Sequence, residues 1–220
     1  MALFKCAVFD LDGTLIDTSE GLISSIRYTI NYFGLSKLDE DTIKSFIGPP
    51  IQNSFRKQYG LPENQIKEIA AVFREHYKNA DLLKAKPYDG IFDVFMRLQN
   101  AGVEVAIATY KRQDYAFDLL QYLGFCKYTD HIFGSDFEGN LKKKDIIELA
   151  LKHTGVQRYS DAVMIGDSDN DAVGAREIGT AFLGVTYGFG FKRQEEVIQF
   201  GPIGVAETVV DIAKYIIGGE

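Results

Sequence analysis

Phe4 to Phe9 is a short run rich in apolar, β-branched and aromatic residues, and it stops abruptly on Asp10, Asp12 and Gly13. Such a run reads as a buried strand. In open parallel α/β sheets ligands bind beyond the carboxyl ends of the strands, and two acids placed there cost stability unless they meet a partner. Side chains two apart on extended chain point the same way, so Asp10 and Asp12 are expected to converge on one centre. Gly13 lets the backbone turn sharply, and the amides that follow from Thr14 suit an anion.

After Asp17 the apolar spacing becomes helical for about seventy residues. Leu22, Ile23, Ile26, Ile30 and Phe33 form one face that ends at Gly34, with Ser19 as the expected N-cap. A second helix is expected over Glu40 to Phe46, a third from Pro50 towards Tyr59, and a fourth from Leu61-Pro62 towards Leu83. From Lys86-Pro87 strand and helix alternate. Strands are expected at Val103 to Ala108 (ending at Thr109), His131 to Phe133, Ala162 to Ile165, Ala181 to Val185 and Ile203 to Ala206. Helices are expected at Gly90 to Asn100, Gln113 to Leu123, Lys144 to His153, Ala172 to Ile178 and Glu207 to Ile217. This order predicts an α/β fold, a Rossmann-like parallel sheet core with an inserted all-helical cap domain. The core takes residues 1–16 and 87–220 and the insert residues 17–86.

A formal charge of −7 argues against binding dominated by nucleic-acid phosphates, and the first apolar run is too short for a signal peptide or a membrane span. With two cysteines, Cys6 and Cys126, a disulfide framework is not expected and a reducing cytoplasm fits better. A monomer or a homodimer is expected.

Further along the chain the polar strand ends form a set. One strand ends in Thr109, and another runs into Gly166-Asp167-Ser168-Asp169-Asn170-Asp171; between them Lys142, Lys143 and Lys144 precede an apolar helix. D-x-D-G-T-L-I-D behind the first strand, then Thr109, then a lysine, then G-D-x-x-x-D, resembles the four motifs of the haloacid dehalogenase superfamily, over nearly the whole chain. Most of its members are phosphatases. The resemblance implies Asp10 as nucleophile and Asp12 as general acid and then base, with Mg²⁺ held by Asp10, the backbone carbonyl of Asp12, and Asp167, and with Asp171 as a water-mediated partner. Thr109, Tyr110 and Gly13 would receive the phosphoryl oxygens. The chain lacks the K-P-x-P of many relatives; the register Lys-x-Asp-Ile-Ile resembles a K-x-[DE]-x-I variant and selects Lys143, while Lys142 and Lys144 stay open.

The helical insert resembles the first cap type of the superfamily, and Ile47-Gly48-Pro49-Pro50 with Ser54-Phe55-Arg56 resembles its phosphoglycolate phosphatase branch. On that basis the substrate is a small phosphorylated metabolite whose carboxylate Arg56 would grip. A β-phosphoglucomutase-like mutase, a pyrophosphate or nucleotide phosphatase with the same cap, and a non-catalytic metal-dependent module remain as alternatives. An EF-hand is excluded because Ala172 and Ile178 occupy the positions of its turn glycine and its bidentate glutamate. His76, His131 and His153 lack metal-ligand spacing. The glycine-rich run from Gly184 to Gly190 has no P-loop lysine and is expected as a mobile loop at the edge of the site.

Overall fold

The computed structural model describes residues 2–137 and 140–218. Residues 1–17 and 87–220 make one compact unit and residues 18–86 another.

The first unit is a six-stranded parallel sheet: β1 Cys6–Phe9, β2 Glu104–Arg112, β3 Ile132–Ser135, β4 Ala162–Gly166, β5 Ala181–Val185 and β6 Gly204–Ala206. Their order across the sheet is β3-β2-β1-β4-β5-β6. The chain works outward from β1 to β3, then crosses back to lay β4 against the other side of β1. The order therefore reverses beside β1, and the crevice beyond its carboxyl end is the topological switch point where ligands bind in such sheets.

β1 is fully buried, which explains why its sequence is apolar on both faces. Alternation sends Cys6 and Val8 into a core shared with Ile146, Ile147, Ala150 and Leu151 of α7 (Lys143–His153) and with Ala172 and Ala175 of α8 (Asp169–Ile178). On the opposite face Phe9 packs on Phe95 of α5 (Ile91–Asn100), ring centroids 5.1 Å apart; α6 (Gln113–Tyr122) follows β2. Asp10, the next even position, falls on the α7/α8 face.

Several element ends differ from expectation. β2 runs on to Arg112, so Thr109 lies within the strand. α8 begins at Asp169, three residues before the apolar pattern: Ser168 is its N-cap, and Asp171 accepts the Ser168 N–H at 3.1 Å and its hydroxyl at 2.7 Å. A short helix at Gln194–Ile198 escaped the sequence reading, since five residues with one buried position, Val197, carry no period.

The second unit holds α1 Ser19–Tyr32, α2 Glu40–Lys44, α3 Ile51–Tyr59 and α4 Glu63–His76, the last continued by a π-turn over Tyr77–Asp81. Ser19 is the first residue of α1 rather than its cap; Thr18 holds that position. The π-turn delivers Asp81 into the interior, where its carboxylate accepts from Ser25 Oγ at 2.7 Å and pairs with Lys84 at 2.8 Å and His76 at 3.3 Å. Among the described residues no helix is long and apolar enough to cross a membrane.

Candidate active site

Asp10 leaves β1 with its backbone amide still donating to Ile165 of β4 at 2.9 Å, so the start of the site is locked to the sheet. Asp167 follows β4 directly. One carboxylate oxygen from each of Asp10, Asp167 and Asp171 lies within 4.8 Å of the others, and all three residues are buried. Lys143, the first residue of α7, enters this cluster: its Nζ is 2.5 Å from Asp10 Oδ1 and 2.7 Å from Asp171 Oδ1. Lys142 is exposed, and its amide donates to Asp145 at 2.9 Å; Lys144 is half-buried and 3.5 Å from Glu177. Of the three lysines, Lys143 is the one the helix register turns inward.

Three buried carboxylates against one ammonium leave an excess of negative charge. Burial holds Asp10 well above the usual carboxylate range; Lys143 pulls it down and Asp171 and Asp167 push it up. Burial and then the Asp171 carboxylate push Asp167 up to about 6, against the pull of two backbone amides. Lys143 is raised despite burial, because Asp10 and Asp171 favour its charged form. An all-oxygen, over-charged donor set of this kind fits a hard divalent cation.

Close backbone approach builds the walls. Gly13 has φ 85°, and a Cβ there would lie 2.3 Å from Asp167 Oδ2. The glycine-rich run is a buttress at this point. The amides of Phe189 and Gly190 donate to Asp167 Oδ2 at 2.6 and 2.9 Å, and a Cβ on Gly188 would lie 2.1 Å from the Gly13 carbonyl. No apolar period marks such a contact; the cluster of glycines was its one signal.

The remaining sequence candidates divide. The side chain of Asp12 points to Lys111, 3.1 Å from Nζ, outside the three-acid cluster. Thr109 is buried and its hydroxyl accepts the Lys111 amide at 3.1 Å. The Tyr110 hydroxyl accepts the Lys143 amide at 2.9 Å, and its ring lies 5.7 Å from Lys143 Nζ. Arg56 lies on α3 in the other unit, where its guanidinium is held by Glu63 at 2.8 Å and Asn53 at 2.8 Å. Lys111 was missed, because a lysine just past the expected strand end at Thr109 reads as a solvated charge.

The raised Asp167 sets a testable sign. Between its unfolded value near 3.8 and about 6 the folded chain holds the extra proton, so this group removes stability as pH rises through that window. Asp167→Asn, without metal, is therefore expected to gain stability over the parent as pH climbs from 4 to 7, by up to about 3 kcal/mol. Urea denaturation of both proteins in chelator at several pH values measures it; a difference that is flat in pH refutes the assignment.

A Rossmann-type sheet with acids and a buried lysine gathered at its switch point defines the class of protein. The sequence profile described as haloacid dehalogenase-like hydrolase matches residues 7–185. A 5'-nucleotidase of Pseudomonas aeruginosa is 32% identical over 83% of this chain and 83% of its own. A pyrophosphatase PpaX of Halalkalibacterium halodurans is 30% identical over 95% of each, and a phosphoglycolate phosphatase of Agrobacterium fabrum 33% identical over 85% and 82%. A haloacid dehalogenase-like hydrolase from Streptococcus pneumoniae superposes with a TM-score of 0.88 at 32% identity, over 96% of this chain and 98% of that one. The chain belongs to the haloacid dehalogenase-like hydrolase family and is a hydrolase of its phosphatase kind.

Proposed function

We propose that this protein is a Mg²⁺-dependent phosphatase acting on the monoester of a small phosphorylated metabolite through an aspartyl-phosphate on Asp10. The observation that carries the reading is the placement of Lys143 between Asp10 and Asp171 at the switch point, beside Asp167.

The chemistry follows from these groups. An Asp10 oxygen attacks phosphorus as the bond to the leaving oxygen breaks, and the Asp12 carboxyl gives that oxygen its proton. Water then attacks the phosphorus of the aspartyl-phosphate, passes a proton to Asp12, and releases inorganic phosphate and the Asp10 carboxylate. Lys143 orients Asp10 and offsets phosphoryl charge; a preorganised donor of this type contributes roughly 2.7 to 4 kcal/mol to a transition state. Thr109, Tyr110 and Gly13 line the phosphoryl position. Asp10 and Asp167, with the backbone carbonyl of Asp12, would hold the metal, with Asp171 as a water-mediated partner; when bound it neutralises charge on the transferring group. We assign the helical unit 18–86 the role of the first cap type it resembles, and Arg56 the role of gripping a substrate carboxylate.

The similar proteins bear the names of a nucleotidase, a pyrophosphatase and a phosphoglycolate phosphatase, so the test is a panel. Phosphate release from phosphoglycolate, a nucleoside monophosphate, pyrophosphate and a hexose phosphate is measured with Mg²⁺ and with chelator. We expect turnover only with the metal and highest kcat/KM on phosphoglycolate, lowered at least about tenfold by Arg56→Ala if the guanidinium grips the carboxylate. Activity undiminished in chelator would refute the metal requirement, and isomerised sugar without free phosphate would identify a mutase.

A further inference from the structure

Strand β2 is irregular where it passes the site. Ile107 and Ala108 pair with Ile132 and Phe133, but the next partner of Ser135 is Arg112, so the stretch Ala108 to Arg112 lies opposite the shorter stretch Phe133 to Ser135. Residues Thr109, Tyr110 and Lys111 form the resulting bulge. In a regular strand neighbouring side chains leave by opposite faces, so Tyr110 and Lys111 would diverge. Here both serve the acids: Tyr110 receives the amide of Lys143, and Lys111 sends Nζ to within 3.1 Å of Asp12 Oδ1. Bulges re-aim side chains in this way.

The bulge is fixed from behind. Gln113 Nε2 donates to the Ile132 carbonyl at 3.1 Å, and Gln113 Oε1 accepts the Gly134 amide at 2.5 Å, so one side chain bridges to β3 where the ladder is interrupted. A Cβ on Gly134 would come within 2.5 Å of the Lys111 carbonyl, so the close approach requires glycine there. The Lys111 side chain is 6% exposed and that of Asp12 18%. A lysine sequestered against a carboxylate at the mouth of a site is not an ordinary solvated ion pair.

We propose that Lys111 is the positioning residue for Asp12, held by the β2 bulge so that the carboxyl group faces the leaving-group oxygen. This rests on the reading of Asp12 as acid and base, and gives the two aspartates separate lysines: Lys143 for the nucleophile, Lys111 for the proton carrier. Lys111 itself touches no reacting atom in this scheme. Its loss therefore weakens the two steps in which Asp12 moves a proton, delivery to the leaving oxygen and removal from the attacking water, of which kcat/KM reads the first.

The test uses kcat/KM, which reports transfer of the phosphoryl group to the enzyme, on two esters in Mg²⁺. A small alkyl phosphate has a leaving group that needs protonation, whereas p-nitrophenyl phosphate has one that does not. Lys111→Met is expected to lose at least about ten times more on the alkyl ester than on the nitrophenyl ester, as Asp12→Asn does, since general acid catalysis contributes about 10²–10⁴. The double variant is expected to stay within about threefold of Asp12→Asn alone, because residues acting as one unit are not additive. Equal losses on both esters for Lys111→Met, with unequal losses for Asp12→Asn, would overturn the role of Lys111 and point to substrate binding instead; so would multiplying losses in the double variant. Equal losses for Asp12→Asn itself would overturn the acid–base reading, and this inference with it. Should Lys111→Met fail to fold, Gln113→Ala, which loosens the bulge without removing the lysine, decides the matter: the same ester-selective loss supports the proposal and an unselective one overturns it.

Discussion

Asp10→Asn is expected to lower turnover on the order of 10⁶-fold, the cost of removing a covalent nucleophile elsewhere, while leaving the fold in place. The amide keeps the shape of the carboxylate and an oxygen that can still accept from Lys143 Nζ, now 2.5 Å from Oδ1. What it lacks is the charge and lone-pair basicity needed to displace an alkoxide from phosphorus. Two measurements belong together: circular dichroism for the fold, and acid-quenched labelling with a phosphate-labelled ester for the intermediate. The parent is expected to retain label on Asp10 and the variant none. Turnover within about a hundredfold of the parent in a folded Asp10→Asn protein would remove the proposed nucleophile from consideration.

Lys143→Met is the second large effect, and it is expected in stability as well as in activity. Lys143 is 3% exposed and in contact with both Asp10 and Asp171, so its removal strands two buried carboxylates. Breaking a buried ion pair from one side costs roughly 3–5 kcal/mol, which for a chain of this size lowers Tm on the order of 10 °C. The direction with pH is fixed by the raised acid groups. As pH falls through the region where Asp10 and Asp167 take up protons, fewer charges are left unpaired, and the deficit relative to the parent shrinks. Mg²⁺ is expected to restore part of the stability by supplying positive charge, without restoring turnover. Thermal melts of both proteins at pH 5 and pH 8, with chelator and with Mg²⁺, measure all of this; a variant as stable as the parent at pH 8 in chelator contradicts the pairing. Lys143→Arg is not expected to rescue, since a planar guanidinium does not fit where a compact ammonium lies between two carboxylates.

The fold was legible in the sequence because its determinants are local. The apolar run before Asp10, the return of strand–helix alternation after Pro87, and the helical spacing between them depend on residues two to four apart. Acids at the ends of β1 and β4 were legible for a related reason: a charged residue that ends a buried strand falls where the chain leaves the sheet; that the two strands pair side by side is a tertiary fact. Element ends were less legible. α8 starts on Ser168-Asp169-Asn170-Asp171, where a capping box replaces the apolar period, and β2 outruns its apolar stretch because a bulge carries Thr109, Tyr110 and Lys111.

The order of strand and helix, the helical insert, and the aspartates at the strand ends are properties of this amino-acid sequence alone. Tertiary structure decided which charges meet. The Lys-x-Asp-Ile-Ile register favours Lys143 and leaves Lys142 and Lys144 open; the face of α7 that packs Ile146, Ile147 and Ala150 onto the sheet turns Lys143 inward and leaves Lys142 exposed. Lys111 reaches Asp12 because β2 bulges against β3, and Asp167 is held by Phe189 and Gly190 because glycine permits backbone to touch its carboxylate. Periodicity fixes the direction of a side chain relative to its own strand or helix, whereas a contact between residues a hundred positions apart depends on register and packing across the whole sheet.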